Sequence, residues 1–227
     1  MIGIIVEVAL SWLILHFIER KNLNVLGLVP NRKTGLAFVF GLASSVTICL
    51  LYFHLQMHLS GGYWKLNESF GWPDFGMSLW WVTKSVLFEE FIFRGAILYI
   101  LISRIGMSKA CWISALAFGI YHWFSYGIIG NPTQMFFVFL LTGTWGLMFA
   151  YAYAKTQSML LPIALHLGWN AVNLIVFSQG TIGDQLLIGV GGEPLTDLIS
   201  LAVFALQWLG LPLIVFIYLR MRHHPTN

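Results

Sequence analysis

The sequence predicts an all-α, polytopic transmembrane helical bundle of about seven spans, and three observations carry that prediction. Of 227 residues, 58% are hydrophobic and only 9% are charged, against about 25% charged in soluble domains. Apolar runs long enough to cross a bilayer recur along the whole chain, separated by short connections rich in Gly, Pro or charge. The basic residues collect in alternate connections, the pattern that orients membrane proteins. Mean hydropathy is +0.79. No repeat and no stretch of soluble-domain composition breaks this plan, so residues 1–227 read as a single integral-membrane domain.

The rest of the composition agrees. Membrane helices use glycine at close contacts and tryptophan at interfaces, and the chain has 22 Gly and 10 Trp. The net charge of +3 therefore speaks of topology. Without a basic cluster that could track phosphates, nucleic acid is excluded as a partner. Cys49 and Cys111 fall inside predicted spans without metal-ligand spacing and read as core packing.

Taken in order, the expected spans are 2–18, 35–57, 77–102, 108–126, 133–154, 158–178 and 196–219. No basic residue precedes the first, and Glu19-Arg20-Lys21 follows it directly. It reads as a retained span with its N-terminus outside rather than a cleaved signal. Glu7 and Lys84 lie roughly 9–10 Å of helix from the starts of their spans, near enough to snorkel outward. Residues 23–30 (L-N-V-L-G-L-V-P) are too short to span and alternate too poorly for a strand, and are expected along the cytoplasmic interface. The outer connections 59–76 and 179–195 carry no ligand motif.

Arg20, Lys21, Arg32, Lys33, Arg104, Lys109, Lys155, Arg220 and Arg222 all fall on one side if the spans alternate. The opposite connections hold Lys65 against Glu68, Asp74, Asp184, Glu193 and Asp197. The positive-inside rule then puts the N-terminus outside and the C-terminus in the cytoplasm.

Against this background F-E-E-F-I-F-R-G, residues 88–95, is costly. Each intramembrane charge opposes insertion by roughly 2.5–3.5 kcal/mol, so Glu89, Glu90 and Arg94 together oppose it by about 8–10 if independent. Glu90 and Arg94, four apart, share a helix face and can pair. Glu89 points about 100° away and needs a protein interior or a wet cavity. His122 in the fourth span and Glu90 in the third each sit roughly 21 Å from the cytoplasmic ends of their helices. In the sixth span His166, Asn170 and Asn173 form an i, i+4, i+7 stripe at about 12, 18 and 22 Å. For Asn173 a helix-packing seam suffices as explanation.

If these faces converge, their chemistry is hydrolytic. A desolvated carboxylate is a better base, and a neighbouring histidine can share a proton or orient water. Histidine and asparagine can donate to a developing oxyanion. No serine or cysteine sits in a nucleophile motif. Directly activated water is the economical nucleophile and amide hydrolysis the natural reaction.

The ordered set E-E-x-x-x-R (Glu89, Glu90, Arg94), F-x-x-x-H (Phe118, His122) and H-x-x-x-N (His166, Asn170) resembles the CPBP family of CAAX proteases and bacteriocin-processing proteins, also called Abi, over residues 77–178. The resemblance implies an intramembrane endopeptidase whose eukaryotic branch removes the last three residues of prenylated CAAX proteins. It implies that Glu89 and His122 activate water, that His166 and Asn170 face the oxyanion, and that Glu90 and Arg94 support them. The family is often labelled metalloprotease, yet the chain lacks H-E-x-x-H. The favoured chemistry requires no cofactor; a divalent metal such as zinc would be held by Glu89, His122 and His166. The implied partners are a peptide or protein substrate, with or without a lipid modification, and membrane lipids. The implied location is a bacterial inner membrane. The competing readings are a non-catalytic membrane scaffold or bacteriocin-immunity protein, and a proton-coupled transporter. The transporter would lead one to expect inverted repeats and broken helices, and the sequence shows neither.

Overall fold

A computed structural model describes residues 2–177 and 185–222. Helix α1 (Ile2–Ile14) ends in a π-helical turn (Leu15–Glu19), and a short 3-10 helix (Leu23–Leu26) leads to α2 (Arg32–Leu59). There follow β1 (Tyr63–Leu66), α3 (Trp72–Arg94), α4 (Ala96–Ile105), α5 (Met107–Ser125), α6 (Pro132–Thr156) and α7 (Leu160–Ala171), which continues as a π-helical segment (Val172–Phe177). β2 (Leu187–Val190) and α8 (Asp197–Met221) complete the chain. The expected end of the sixth span at Ser178 and the outer segment 179–184, with Asp184, lie outside the described residues.

Among the described residues, five helical segments are long and apolar enough to cross a membrane: Ile2–Glu19, Arg32–Leu59, Pro132–Thr156, Leu160–Phe177 and Asp197–Met221. The sequence leads one to expect seven. The shortfall falls on α3 and α5, the helices that carry Lys84, Glu89, Glu90 and Arg94 and, on α5, Lys109 and His122. Large apolar side chains face outward, with Phe17 75% and Leu198 80% exposed. Such a surface suits a lipid environment and not water.

Local chemistry sets the helix starts. Asn31 caps α2 through the backbone N–H of Lys33 and Thr34, and Asn131 accepts from Gln134 N–H ahead of Pro132. Asp74 accepts from Gly71 N–H at 2.8 Å at the head of α3. Each cap satisfies donors that the first helical turn leaves unpaired. α2 buries a stripe of small residues, Ala37, Gly41, Ser45 and Cys49, and packs on α7. At Gly168 of α7 a Cβ would collide with Ser45 Oγ, so the two backbones approach as small-residue helix pairs do.

Two local expectations are corrected. The third span, expected as one run over 77–102, is two helices broken at Gly95. Gly95 has ψ −142°, and a Cβ there would collide with the Phe91 carbonyl oxygen. Residues 23–27 do not simply lie along an interface. Leu26 is wholly buried, its carbonyl accepts from Met159 N–H at 3.0 Å, and the Gly27 carbonyl accepts from Ser158 Oγ at 2.5 Å. The segment thus plugs the turn between α6 and α7. The outer connections, which carry no signal in the sequence, pair as a two-stranded antiparallel sheet, Tyr63 opposite Val190 and Leu66 opposite Leu187.

Proline inside α8 is compensated. Pro212 has no N–H to offer the Trp208 carbonyl one turn back, and Trp145 Nε1 of α6 donates to that carbonyl instead, at 3.2 Å. Trp208 Nε1 in turn donates to Thr144 Oγ1 at 2.8 Å.

Candidate active site

The penultimate turn of α3 supplies the acids. Glu90 and Arg94 are both fully buried and pair through Oε1 and Nη1 at 3.2 Å, as their i, i+4 spacing on one helix face dictates. Arg94 Nη2 also donates to the Gly146 carbonyl of α6 at 3.3 Å. Its guanidinium carbon lies 4.2 Å from the centroid of Phe118 and 5.0 Å from that of Phe149. Burying a guanidinium is expensive unless charge and donors are both matched. Here a carboxylate, a carbonyl and two aromatic faces match the charge and the two terminal nitrogens, while Arg94 Nε has no hydrogen-bond partner among the described residues.

Two histidines approach these acids from separate helices. On α5, His122 Nδ1 lies 2.8 Å from the Phe118 carbonyl. A carbonyl only accepts, so Nδ1 carries the proton and, in the neutral ring, Nε2 carries the lone pair. On α7, His166 Nδ1 lies 2.8 Å from Glu90 Oε1. Glu90 already accepts from Arg94, so His166 donates and its Nε2 is likewise turned away from Glu90. Phe149 stacks on the His166 ring at 5.0 Å and 20°, fixing its plane.

Both Nε2 atoms face Glu89. Glu89 Oε2 is 3.9 Å from His122 Nε2 and 3.8 Å from His166 Nε2, too far for direct hydrogen bonds. That oxygen is buried and has no hydrogen-bond partner among the described residues. One carboxylate and two imidazoles, from α3, α5 and α7, therefore converge on a common point. Each ring is locked in orientation by an acceptor at its other nitrogen.

As a donor set, a carboxylate and two imidazoles with hydrogen-bonded outer nitrogens is chemically one that zinc accepts. In spacing, no group of three or more His, Cys, Asp or Glu among the described residues is gathered closely enough to hold a metal ion.

Of the residues singled out in the sequence, Glu89, Glu90, Arg94, His122 and His166 meet in one cluster. Asn170 does not join it by any hydrogen bond among the described residues; it is half-buried one turn beyond His166 on α7. Asn173 lines a different pocket, with Phe53, Trp64 and Glu193. The sequence reading missed α6, whose Gly146 carbonyl and Phe149 ring hold Arg94 and His166. A carbonyl and a phenyl ring in an apolar run leave no signal above their neighbours.

Residues 71–172 match the family described as type II CAAX prenyl endopeptidase Rce1-like. That segment spans the three motifs from Glu89 to Asn170. No curated protein and no solved structure matches the chain.

Proposed function

We propose that the chain, whose residues 71–172 match the type II CAAX prenyl endopeptidase Rce1-like family, is an intramembrane endopeptidase that hydrolyses peptide bonds with a water activated by Glu89 and His122. The carrying observation is the convergence of His122 Nε2 and His166 Nε2 on Glu89 Oε2, at 3.9 and 3.8 Å. A water shared among these atoms would donate to Glu89 while His122 Nε2 orients it. Its oxygen attacks the scissile carbonyl carbon and its proton passes to Glu89. His166 Nε2, when the ring carries both protons, donates to the developing oxyanion, with Asn170 beside it on the same helix face. Glu90 holds the other His166 proton, and Arg94 holds Glu90. The C–N bond then breaks as Glu89 returns the proton to the leaving amine.

The favoured form of this chemistry needs no cofactor. In a metal-dependent form Glu89, His122 and His166 would have to draw closer to hold a divalent ion such as zinc, which would polarise the same water. The substrate is a peptide or protein, and a lipid-modified C-terminus fits the family's description. The protein sits in a bacterial inner membrane with α3–α4 and α5 crossing as well as the five segments named above, N-terminus outside and C-terminus cytoplasmic. Two contacts support the common side of the basic connections. Arg104 pairs with Glu19 at 2.9 Å, and Arg222 donates to the Lys33 carbonyl at 3.0 Å.

The test is release of the C-terminal tripeptide from prenylated and unprenylated CAAX peptides by the purified chain, with and without chelator. Glu89→Gln is expected to lower the rate by at least about 10²-fold, with its thermal unfolding midpoint retained. Cleavage at the wild-type rate by that variant would overturn the assignment. Loss of cleavage with chelator, restored by added zinc, would replace the cofactor-free form with the metal one.

A further inference from the structure

A groove lies away from the Glu89 cluster. It occupies about 990 Å³ between α6 and α8, with Trp112 of α5 at its edge. Its walls are apolar, formed by Leu147, Leu209, Pro212, Leu213 and Phe216. One end is cationic, where Lys155 and Arg220 line it from the last turns of α6 and α8. Lys155 and Leu219 also line an adjoining polar pocket of about 260 Å³ that contains Lys33 and Arg222. Among the described residues none of these four cations pairs with a carboxylate.

An apolar trough ending in unneutralised cations has the chemistry of one kind of occupant, an amphiphile with an anionic head. We propose that this groove binds one anionic phospholipid of the surrounding bilayer, an acyl chain lying along α6 and α8 and its phosphate held by Lys155 and Arg220. Three features carry the assignment. The cations stand at the end of the trough and not along it, as a lipid's own polarity requires. Arg220 rests its guanidinium over Phe216, 4.8 Å from the ring centroid, which covers the apolar wall while leaving the charged group at the mouth. The adjoining pocket extends the cationic surface to Lys33 and Arg222, so a head group larger than phosphate alone is accommodated. Basic residues at a membrane surface each favour anionic over neutral lipid; here they are joined to a shaped apolar site.

Native mass spectrometry reads this directly. The full chain is released from micelles supplied with equal amounts of phosphatidylglycerol and phosphatidylcholine, and retained lipid is counted. The wild type is expected to keep phosphatidylglycerol in preference. The double variant Lys155→Gln, Arg220→Gln is expected to lose that preference by about 30-fold, each charge contributing about fivefold. Leu213→Trp, at a position 55% exposed and so tolerant in folding, fills the trough and is expected to lose the bound lipid with the charges intact. Equal retention of both lipids by the wild type would overturn the proposal. So would loss in the charge variant with undiminished retention in Leu213→Trp, which would reduce the effect to surface charge. So would a lipid-free wild-type dimer that Leu213→Trp dissociates, because the occupant would then be a second copy of the chain. Retained lipid is counted without reference to peptide cleavage, so failure here and failure of the hydrolase reading are separately visible.

Discussion

Arg94 is the residue on which the site's architecture turns, although it makes no contact with Glu89 among the described hydrogen bonds and ion pairs. It neutralises Glu90 at 3.2 Å, and Glu90 in turn holds His166 at 2.8 Å. Arg94→Met is expected to leave Glu90 buried and uncompensated, costing about 3–5 kcal/mol. Arg94→Lys keeps the charge but loses the fork that reaches Glu90 and the Gly146 carbonyl together, so its cost should fall between. Thermal unfolding in detergent ranks the three proteins, and an Arg94→Met midpoint equal to wild type would refute this role. The chain of contacts also explains which site residues the sequence exposed. Charges and imidazoles in an apolar run stand out because burying them is expensive. Their partners Gly146 and Phe149 do not, because a backbone carbonyl and a phenyl ring are what any membrane helix contains.

At the scale of elements, the agreement between sequence and structure fails where a helix is interrupted or displaced. Hydropathy sees 77–102 as one apolar run and is blind to the backbone turn at Gly95, since glycine breaks a helix by geometry and not by polarity. Helix rise alone set His166 at about 12 Å and Glu90 at about 21 Å from the cytoplasmic ends of their helices, yet they touch. The reason is that α7 starts inside the protein: Ser158 and Met159 are buried at 1% and 0% exposure, under the plug at residues 23–27. Nothing in the composition of that segment announces the contact. The α2–α7 contact, by contrast, was partly legible as glycines and small residues in apolar runs, and it makes a quantitative prediction. Gly168→Ala places a Cβ against Ser45 Oγ and is expected to cost about 1–3 kcal/mol as an overpacked contact. Adding Ser45→Ala removes the clashing atom, so the double variant should recover a large part of that loss. A double variant no more stable than Gly168→Ala alone would show that the α2–α7 approach is not limiting at this point.

For the molecule as a whole, the charge pattern and the packing describe one polarity. Lys33, Lys155 and Arg222 stand at the ends of three separate helices, α2, α6 and α8, and line one pocket, whereas the two-stranded sheet joins Lys65 to Ile188 between two connections. A positive excess at one end of a bundle orients it with that end in the cytoplasm. Single cysteines test the orientation with little background, since the native Cys49 and Cys111 are both fully buried. In intact cells a membrane-impermeant maleimide is expected to label Lys65→Cys and to leave Lys33→Cys unlabelled until the membrane is opened. Lys155→Cys is half-buried and therefore a poorer reporter, but should follow Lys33→Cys. Labelling of Lys33→Cys from outside would invert the topology and turn the basic mouth of the α6–α8 groove to the outer leaflet. Labelling of both positions from one side would mean that α2 and its neighbours do not cross at all. The Glu89 cluster would survive the first result, because it depends on helix packing and not on which face of the membrane the bundle presents.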